Sequence, residues 1–212
     1  MSILTSLTFV DKQLENDDIY TFRFATKHTI NHKAGQHGLF ILPGLFRPHP
    51  FTLSSSPDEQ HVAFSTHTAT GSRYKQKLMS IKPGEKLFLL GPIMNFTFTE
   101  GQSKYVFLAQ GIGITPFRSM LAYAETHQLP VTTTLIHVDS KGHTFKELTE
   151  KCATYANYPT NPDEFRSLVR QQDTSQLFYL SGSPRFVSET KKLLTEVGVS
   201  KSNIKMDSFL GY

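Results

Sequence analysis

The chain has 212 residues, 38% of them hydrophobic and 12% aromatic, enough for one large domain or two small ones with proper cores. Its net charge of +4 is scattered, with no long basic run, which argues against nucleic-acid binding and suits an acidic protein partner. The single cysteine, Cys152, excludes an intramolecular disulfide and a cysteine-ligated iron–sulfur cluster within one chain.

Met1 to Val10 lacks the basic flank and apolar core of a signal peptide, and no apolar run reaches transmembrane length. A soluble cytoplasmic protein, not associated with membrane and either a monomer or a homodimer, is the expectation. From the N-terminus, Ser6–Leu14, Ile19–Ala25, Leu39–Leu42, Phe51–Ser54, His61–His67 and Lys86–Leu90 carry strand-type residues. Turn clusters such as Glu15-Asn16-Asp17-Asp18 and Lys82-Pro83-Gly84-Glu85 separate them. One helix interrupts, over Ser72–Ser80. Closely spaced strands of this kind predict a small antiparallel barrel.

Past residue 100 the pattern changes. Strands Tyr105–Ala109, Val131–Val138, Ala153–Tyr158, Leu177–Leu180 and Ile204–Asp207 alternate with helices Pro116–Thr126, Thr144–Lys151, Pro162–Gln171 and Pro184–Val197. That alternation predicts a parallel sheet covered by helices. Two domains are expected: an antiparallel β-barrel over residues 1–100 and an α/β parallel-sheet domain over residues 101–212.

The junction after Tyr105–Ala109 carries the first chemical signal. The strand runs into Gly111-Ile112-Gly113-Ile114, then Thr115-Pro116, a threonine able to cap a helix and a proline at its first position. Strand, glycine turn and helix start offer backbone N–H groups and a helix dipole to a phosphate. Glycines there admit a ligand where a Cβ would collide. The nine histidines are dispersed and form no paired metal-ligand spacing, so no metal site is expected.

Barrel followed by glycine-loop α/β domain narrows the choice, and at this point the residues resemble the ferredoxin–NADP reductase family of flavoproteins. The resemblance spans nearly the whole chain in family order. Arg47-Pro48-His49-Pro50-Phe51-Thr52-Leu53-Ser54 is similar to the family's flavin motif. The resemblance implies Phe51 against the isoalloxazine of FAD and Thr52 near its N5, with His49 or Arg47 facing the pyrophosphate. The His-Pro-Phe-Thr version is similar to the ferric reductase and NADPH oxidase branch. Ala34-Gly35-Gln36 looks like the turn into the flavin-binding strand. Thr66, His67, Thr68, Gly71 and Ser72 lie in the stretch resembling the loop and helix start that hold the FAD pyrophosphate.

Gly111, Gly113, Ile114, Thr115 and Pro116 are similar to the family's nicotinamide-nucleotide pyrophosphate loop, with Gln110 where a glycine is common. At the end of the next strand, Ser140 and Lys141 suit the 2′-phosphate of NADPH, while Asp139 suits the free 2′-hydroxyl of NADH. The residue types lean to NADPH. Ser181-Gly182 resembles the family's cysteine-containing motif near the nicotinamide, with serine in the cysteine position. Asp207 stands where an acidic residue is usual, and Phe209 or Tyr212 is placed to shield the flavin. The implied catalytic set is Thr52, Ser181 and Asp207. The implied activity is electron transfer from NADPH or NADH through FAD to a separate one-electron acceptor such as ferredoxin or flavodoxin. A reductase of free flavin or ferric chelates is the alternative enzyme. A non-catalytic regulatory subunit is the alternative from another class, motivated by the departures at His49, Gln110 and Ser181.

Overall fold

The structure, a computed structural model, describes residues 3–45 and 47–209. Strand β1 (Ile3–Asn16) organises the first half. Its beginning, from Ile3 to Thr8, pairs antiparallel with β6 (Lys86–Ile93), and from Leu7 to Asn16 it pairs with β2 (Ile19–Thr26). Register shifts between Phe9 and Asp11 and between Leu14 and Asn16 bend it from one partner to the other. With β3 (His37–Ile41), β4 (His49–Thr52) and β5 (Val62–His67) it makes a six-stranded sheet in the order β4-β3-β6-β1-β2-β5. The two edges are stitched where Ser54 N–H donates to Ala63 O at 2.8 Å and Ala63 N–H donates to Ser55 Oγ at 2.9 Å. The sheet curls into a half-barrel.

Phenylalanine fills it. Phe64 is fully buried and lies 5.6 Å from Phe22, 5.5 Å from Phe24 and 4.4 Å from both Phe40 and Phe51, ring centre to ring centre. Each such ring contributes about 1.5–3 kcal/mol by leaving water. Helix α1 (Arg73–Ser80) closes one end with Tyr74 and Leu78. Ser72 caps it by accepting from Lys75 N at 3.2 Å.

The second half is a parallel sheet of β7 (Lys104–Gln110), β8 (Thr132–Val138), β9 (Tyr155–Asn157), β10 (Leu177–Gly182) and β11 (Ile204–Ser208), in the order β11-β10-β7-β8-β9. Alternation along β7 assigns its two faces. Val106 and Leu108 pack with Phe165 of α4 (Pro162–Arg170) and with Val187 and Leu194 of α5 (Pro184–Glu196). Tyr105, Phe107 and Ala109 pack with Phe117, Met120 and Leu121 of α2 (Thr115–Thr126). Helix α3 (Lys146–Cys152) starts two residues later than expected because Phe145, at φ 61°, is left-handed and ends the preceding turn. Strand β9 is only three residues long, an edge strand with β8 as its one partner among the described residues.

Helix α2 also clamps the halves together. Arg118 Nη1 donates to Ser54 O at 2.9 Å and Ser119 Oγ donates to Ser55 O at 2.7 Å. Arg118 also pairs with Glu59, and His127 Nε2 lies 2.8 Å from Asp58 Oδ2. Among the described residues no helix is long and apolar enough to cross a membrane.

Candidate active site

The sheet order reverses between β7 and β10: β8 and β9 lie on one side, β11 on the other. Ligands in open α/β sheets bind beyond the carboxyl ends of the strands at such a point. Here a cleft of about 720 Å³ opens there, floored by Gln110, Gly111 and Ile112 after β7 and by Gly182 and Ser183 after β10. Its far wall is the β1–β2 turn and the end of β5, so the barrel supplies one side.

The two loop glycines have different jobs. Gly111, at φ 53°, borders the cleft, and the nearest atom to a Cβ there is Asp139 Oδ2 at 3.9 Å. Gly113 instead packs on β10: a Cβ there meets Ser181 O at 2.3 Å and Gly182 N at 2.8 Å. The expected Thr115 cap is absent. Residues Gly111–Ile114 form a tight 3-10 turn that runs straight into α2, so Thr115 is the first helical residue and its hydroxyl donates back to Ile112 O at 3.0 Å. Pro116 follows in the first turn and Ile114 is fully buried. His137, buried on β8, holds the turn through Nε2 to Gly111 O at 3.0 Å. Burial and the neighbouring His143 pull its pKa down to about 3, so it is neutral. Ser183 caps α5 and donates to Gln110 Oε1 at 2.6 Å, which ties the ends of β7 and β10 together.

On the barrel side, His49 lies over Tyr74 with ring centres 3.9 Å apart, while Arg47 is exposed. Burial and the positive charge of Lys75 both lower the His49 pKa, and burial lowers that of Lys75. Two basic groups beside a capped helix start make a natural place for an anion. Phe51 is half-buried and stacks on Phe64 at an interplanar angle of 6°. Gly71, at φ 67°, is exposed and opens the turn into Ser72.

Asp18, a residue the sequence did not single out, organises the stretch between β5 and α1. It lies 2.9 Å from His67 Nδ1 and accepts from Ala69 N–H at 3.1 Å, and its carbonyl accepts from Thr68 Oγ1 at 3.0 Å. Thr66, just before, is buried. Burial by itself raises the Asp18 carboxyl, but the bonds from His67 and Ala69 outweigh it and the net pKa is lowered from 3.8. A lowered folded pKa adds stability that is full above the unfolded value and is lost as pH falls through the folded one. Asp18→Asn is therefore expected to cost about 1.5 kcal/mol at pH 7, and the gap from wild type should shrink near pH 3. Thermal melts across pH 3–7 check this; a gap independent of pH counts against the assignment.

Thr52, Ser181, Asp207 and Phe209 come together where the two sheets meet, around a residue that sequence reasoning missed. Thr52 Oγ1 is 3.1 Å from His37 Nε2, which is itself 3.2 Å from Asp207 Oδ2. All three are at least 96% buried. Phe209 stacks on the His37 ring at 5.9 Å and lines the cleft. Ser181 faces Asp207 in the β10–β11 register. Ser181 Oγ, Asp207 Oδ2 and His37 Nδ1 are buried with no aligned hydrogen-bond partner among the described residues. The signal for His37 was positional: it directly follows Ala34-Gly35-Gln36, where Gly35 at φ 91° turns the chain into β3.

The remaining candidates lie elsewhere. Leu53 is in the barrel core, and Ser54 bonds Ser65 Oγ at 3.2 Å and Arg118, away from the cleft. Ser140 and Lys141 are exposed at the cleft rim. Tyr212 lies outside the described residues.

No family model matches the sequence. A curated relative, a flavohemoprotein of Bacillus subtilis, is 25% identical over 184 residues, covering 75% of this chain and 46% of that protein. The chain thus spans about half the length of that relative. The crystal structure of a Malassezia yamatoensis flavohemoglobin with bound FAD and heme superposes with a TM-score of 0.82 at 20% identity, over 98% of this chain and 60% of that one. Ferredoxin-NADP+ reductase from Plasmodium falciparum superposes with a TM-score of 0.76 at 12% identity, over 97% of this chain and 96% of that one. With its curled antiparallel half-barrel and separate helix-covered parallel sheet, the chain has the two-domain fold of the ferredoxin–NADP reductases.

Proposed function

We propose that this chain is an FAD-dependent oxidoreductase that takes electrons from NADH or NADPH and passes them to a separate one-electron acceptor. The carrying observation is the cluster of Thr52, His37, Asp207 and Ser181 beside the cleft, in which Ser181 Oγ and His37 Nδ1 are buried without a hydrogen-bond partner among the described residues. Buried polar groups are costly without partners, and a polar, planar ligand edge satisfies them. The half-buried Phe51 ring, the His49–Lys75 pair and the capped start of α1 fit the ring and the pyrophosphate of such a ligand. The division near residue 100 belongs to this reading, with the FAD on residues 1–100 and the dinucleotide on residues 101–212.

A bound FAD supplies the hydride acceptor and releases electrons one at a time. Everything else is positioning. Thr52 Oγ1 shares a hydrogen bond with His37 Nε2, and Asp207 Oδ2 approaches the same ring nitrogen at 3.2 Å. Gly111 keeps the cleft floor open, and Ser181, buried just behind Gly182, would offer a small hydroxyl to a nicotinamide. Phe209 excludes water from the His37 side. Phe51→Ala removes a stacking surface and is expected to weaken FAD retention about tenfold; gel filtration with absorbance at the flavin band reads this, and unchanged retention counts against Phe51 as the stacking residue.

The net charge of +4 supports an acidic acceptor such as ferredoxin or flavodoxin, and the reading places both in the cytoplasm. The His-Pro-Phe-Thr segment supports the second reading, reduction of ferric chelates or free flavin. The deciding experiment is a visible spectrum of the purified protein followed by anaerobic NADH and NADPH. A flavin band that bleaches supports the proposal. A protein that is colourless and does not take up FAD sinks it.

A further inference from the structure

Residue types at the end of β8 suggest NADPH; their partners suggest the reverse. Two permanent cations among the described residues line the cleft, Lys141 and Arg166. Each is already engaged. Lys141 Nζ lies 2.6 Å from Asp17 Oδ2, and Arg166 Nη1 lies 2.9 Å from Asp163 Oδ1. Around them the wall carries four carboxylates: Asp17, Asp18, Asp139 and Glu189. Asp139 Oδ1 accepts from the Lys141 N–H at 2.9 Å, which fixes that acid at the end of β8.

The Lys141 partner comes from the other half of the molecule. Asp17 sits in the β1–β2 turn of the barrel, and its neighbour Asn16 donates through Nδ2 to Gly142 O. Two contacts therefore hold the barrel turn against the loop after β8. A 2′-phosphate carries a charge of about −1.5 to −2 and three acceptor oxygens. To receive it here, Lys141 must leave Asp17, and the phosphate must lie beside Asp139 and Asp17. A free 2′-hydroxyl asks for neither, and a carboxylate accepts from it.

We infer that the cleft selects NADH over NADPH, and that Asp17, from the barrel half, is a specificity-determining residue; this rests on the reductase reading above. The pair is exposed, with side-chain accessibilities of 59% for Lys141 and 50% for Asp17, so each bond is individually weak and the selectivity comes from the summed charge of the wall.

The test is calorimetric titration of the FAD-reconstituted protein with NAD+ and with NADP+, before and after Asp17→Asn. Asp17 has φ 46°, a conformation asparagine also adopts, so the turn persists. Wild type is expected to bind NAD+ at least about tenfold more tightly than NADP+. Asp17→Asn should narrow that ratio about fivefold, and adding Lys141→Met should undo the narrowing. A wild-type preference for NADP+, or a ratio unchanged in Asp17→Asn, overturns this inference alone. Binding of neither dinucleotide overturns the reductase reading and takes this inference with it.

Discussion

Thr52→Ala is expected to slow NADH-driven flavin bleaching about 100-fold, the lower end of what a positioned proton-transfer group contributes. The physical ground is the chain of contacts behind the hydroxyl. Thr52 Oγ1 has its described side-chain bond to His37 Nε2, and Asp207 approaches the same nitrogen. In a site this buried, the hydroxyl, imidazole and carboxylate are held in one geometry at little further entropic cost. Removing the hydroxyl leaves His37 Nε2 with Asp207 only. Thr52→Ser keeps the oxygen and should recover most of the rate. Stopped-flow bleaching of each variant, with FAD content measured alongside, separates a chemical defect from loss of FAD. A Thr52→Ala protein that retains FAD and bleaches at the wild-type rate removes Thr52 from the catalytic set.

Gly113→Ala carries the largest expected effect on stability, about 3 kcal/mol, because it overpacks a contact with no room to relax. The added Cβ falls 2.3 Å from Ser181 O, 2.6 Å from Ser181 C and 2.8 Å from Gly182 N. These are backbone atoms of β10, a strand buried along its whole length between β7 and β11. Its melting temperature should fall by about 9 °C. Gly111→Ala is the control: it has open space around it and loses only the left-handed backbone freedom, about 1 kcal/mol. Equal destabilisation by the two substitutions argues against the packing role. Gly113→Ala should also weaken dinucleotide binding, since it displaces Ser181 and, at the cleft floor, Gly182.

Much of the fold was legible because its elements are locally coded. The strand β7, its alternation of core faces and the glycine turn after it follow from period-two burial and from residues that only particular backbone conformations admit. The Ser72 cap was legible for the same reason, since a capping serine acts within three residues of itself. The Thr115 cap was misread because a proline normally keeps the residue before it out of the helical conformation, whereas here the 3-10 turn packed against β10 runs into the helix with Thr115 already helical.

The site divides along the same line. Thr52, Phe51, Gly111 and Ser181 were readable from motif positions in the chain. His37, Asp18 and Asp17 were not, because what each does depends on a partner 15, 49 or 124 residues away. A histidine on a strand has no periodic signature, and an acid in a turn reads as a solvated turn. Glycine roles showed the same split: both loop glycines looked like ligand clearances, yet only Gly111 borders the cleft and Gly113 serves β10. By itself the sequence determined an antiparallel barrel followed by a helix-covered parallel sheet, since strand period, helix period and turn residues are short-range properties; that the barrel is an open, curled sheet came from the structure. Only the tertiary structure decided which charges face the cleft, because ion pairing depends on distances across the two halves that no local pattern encodes.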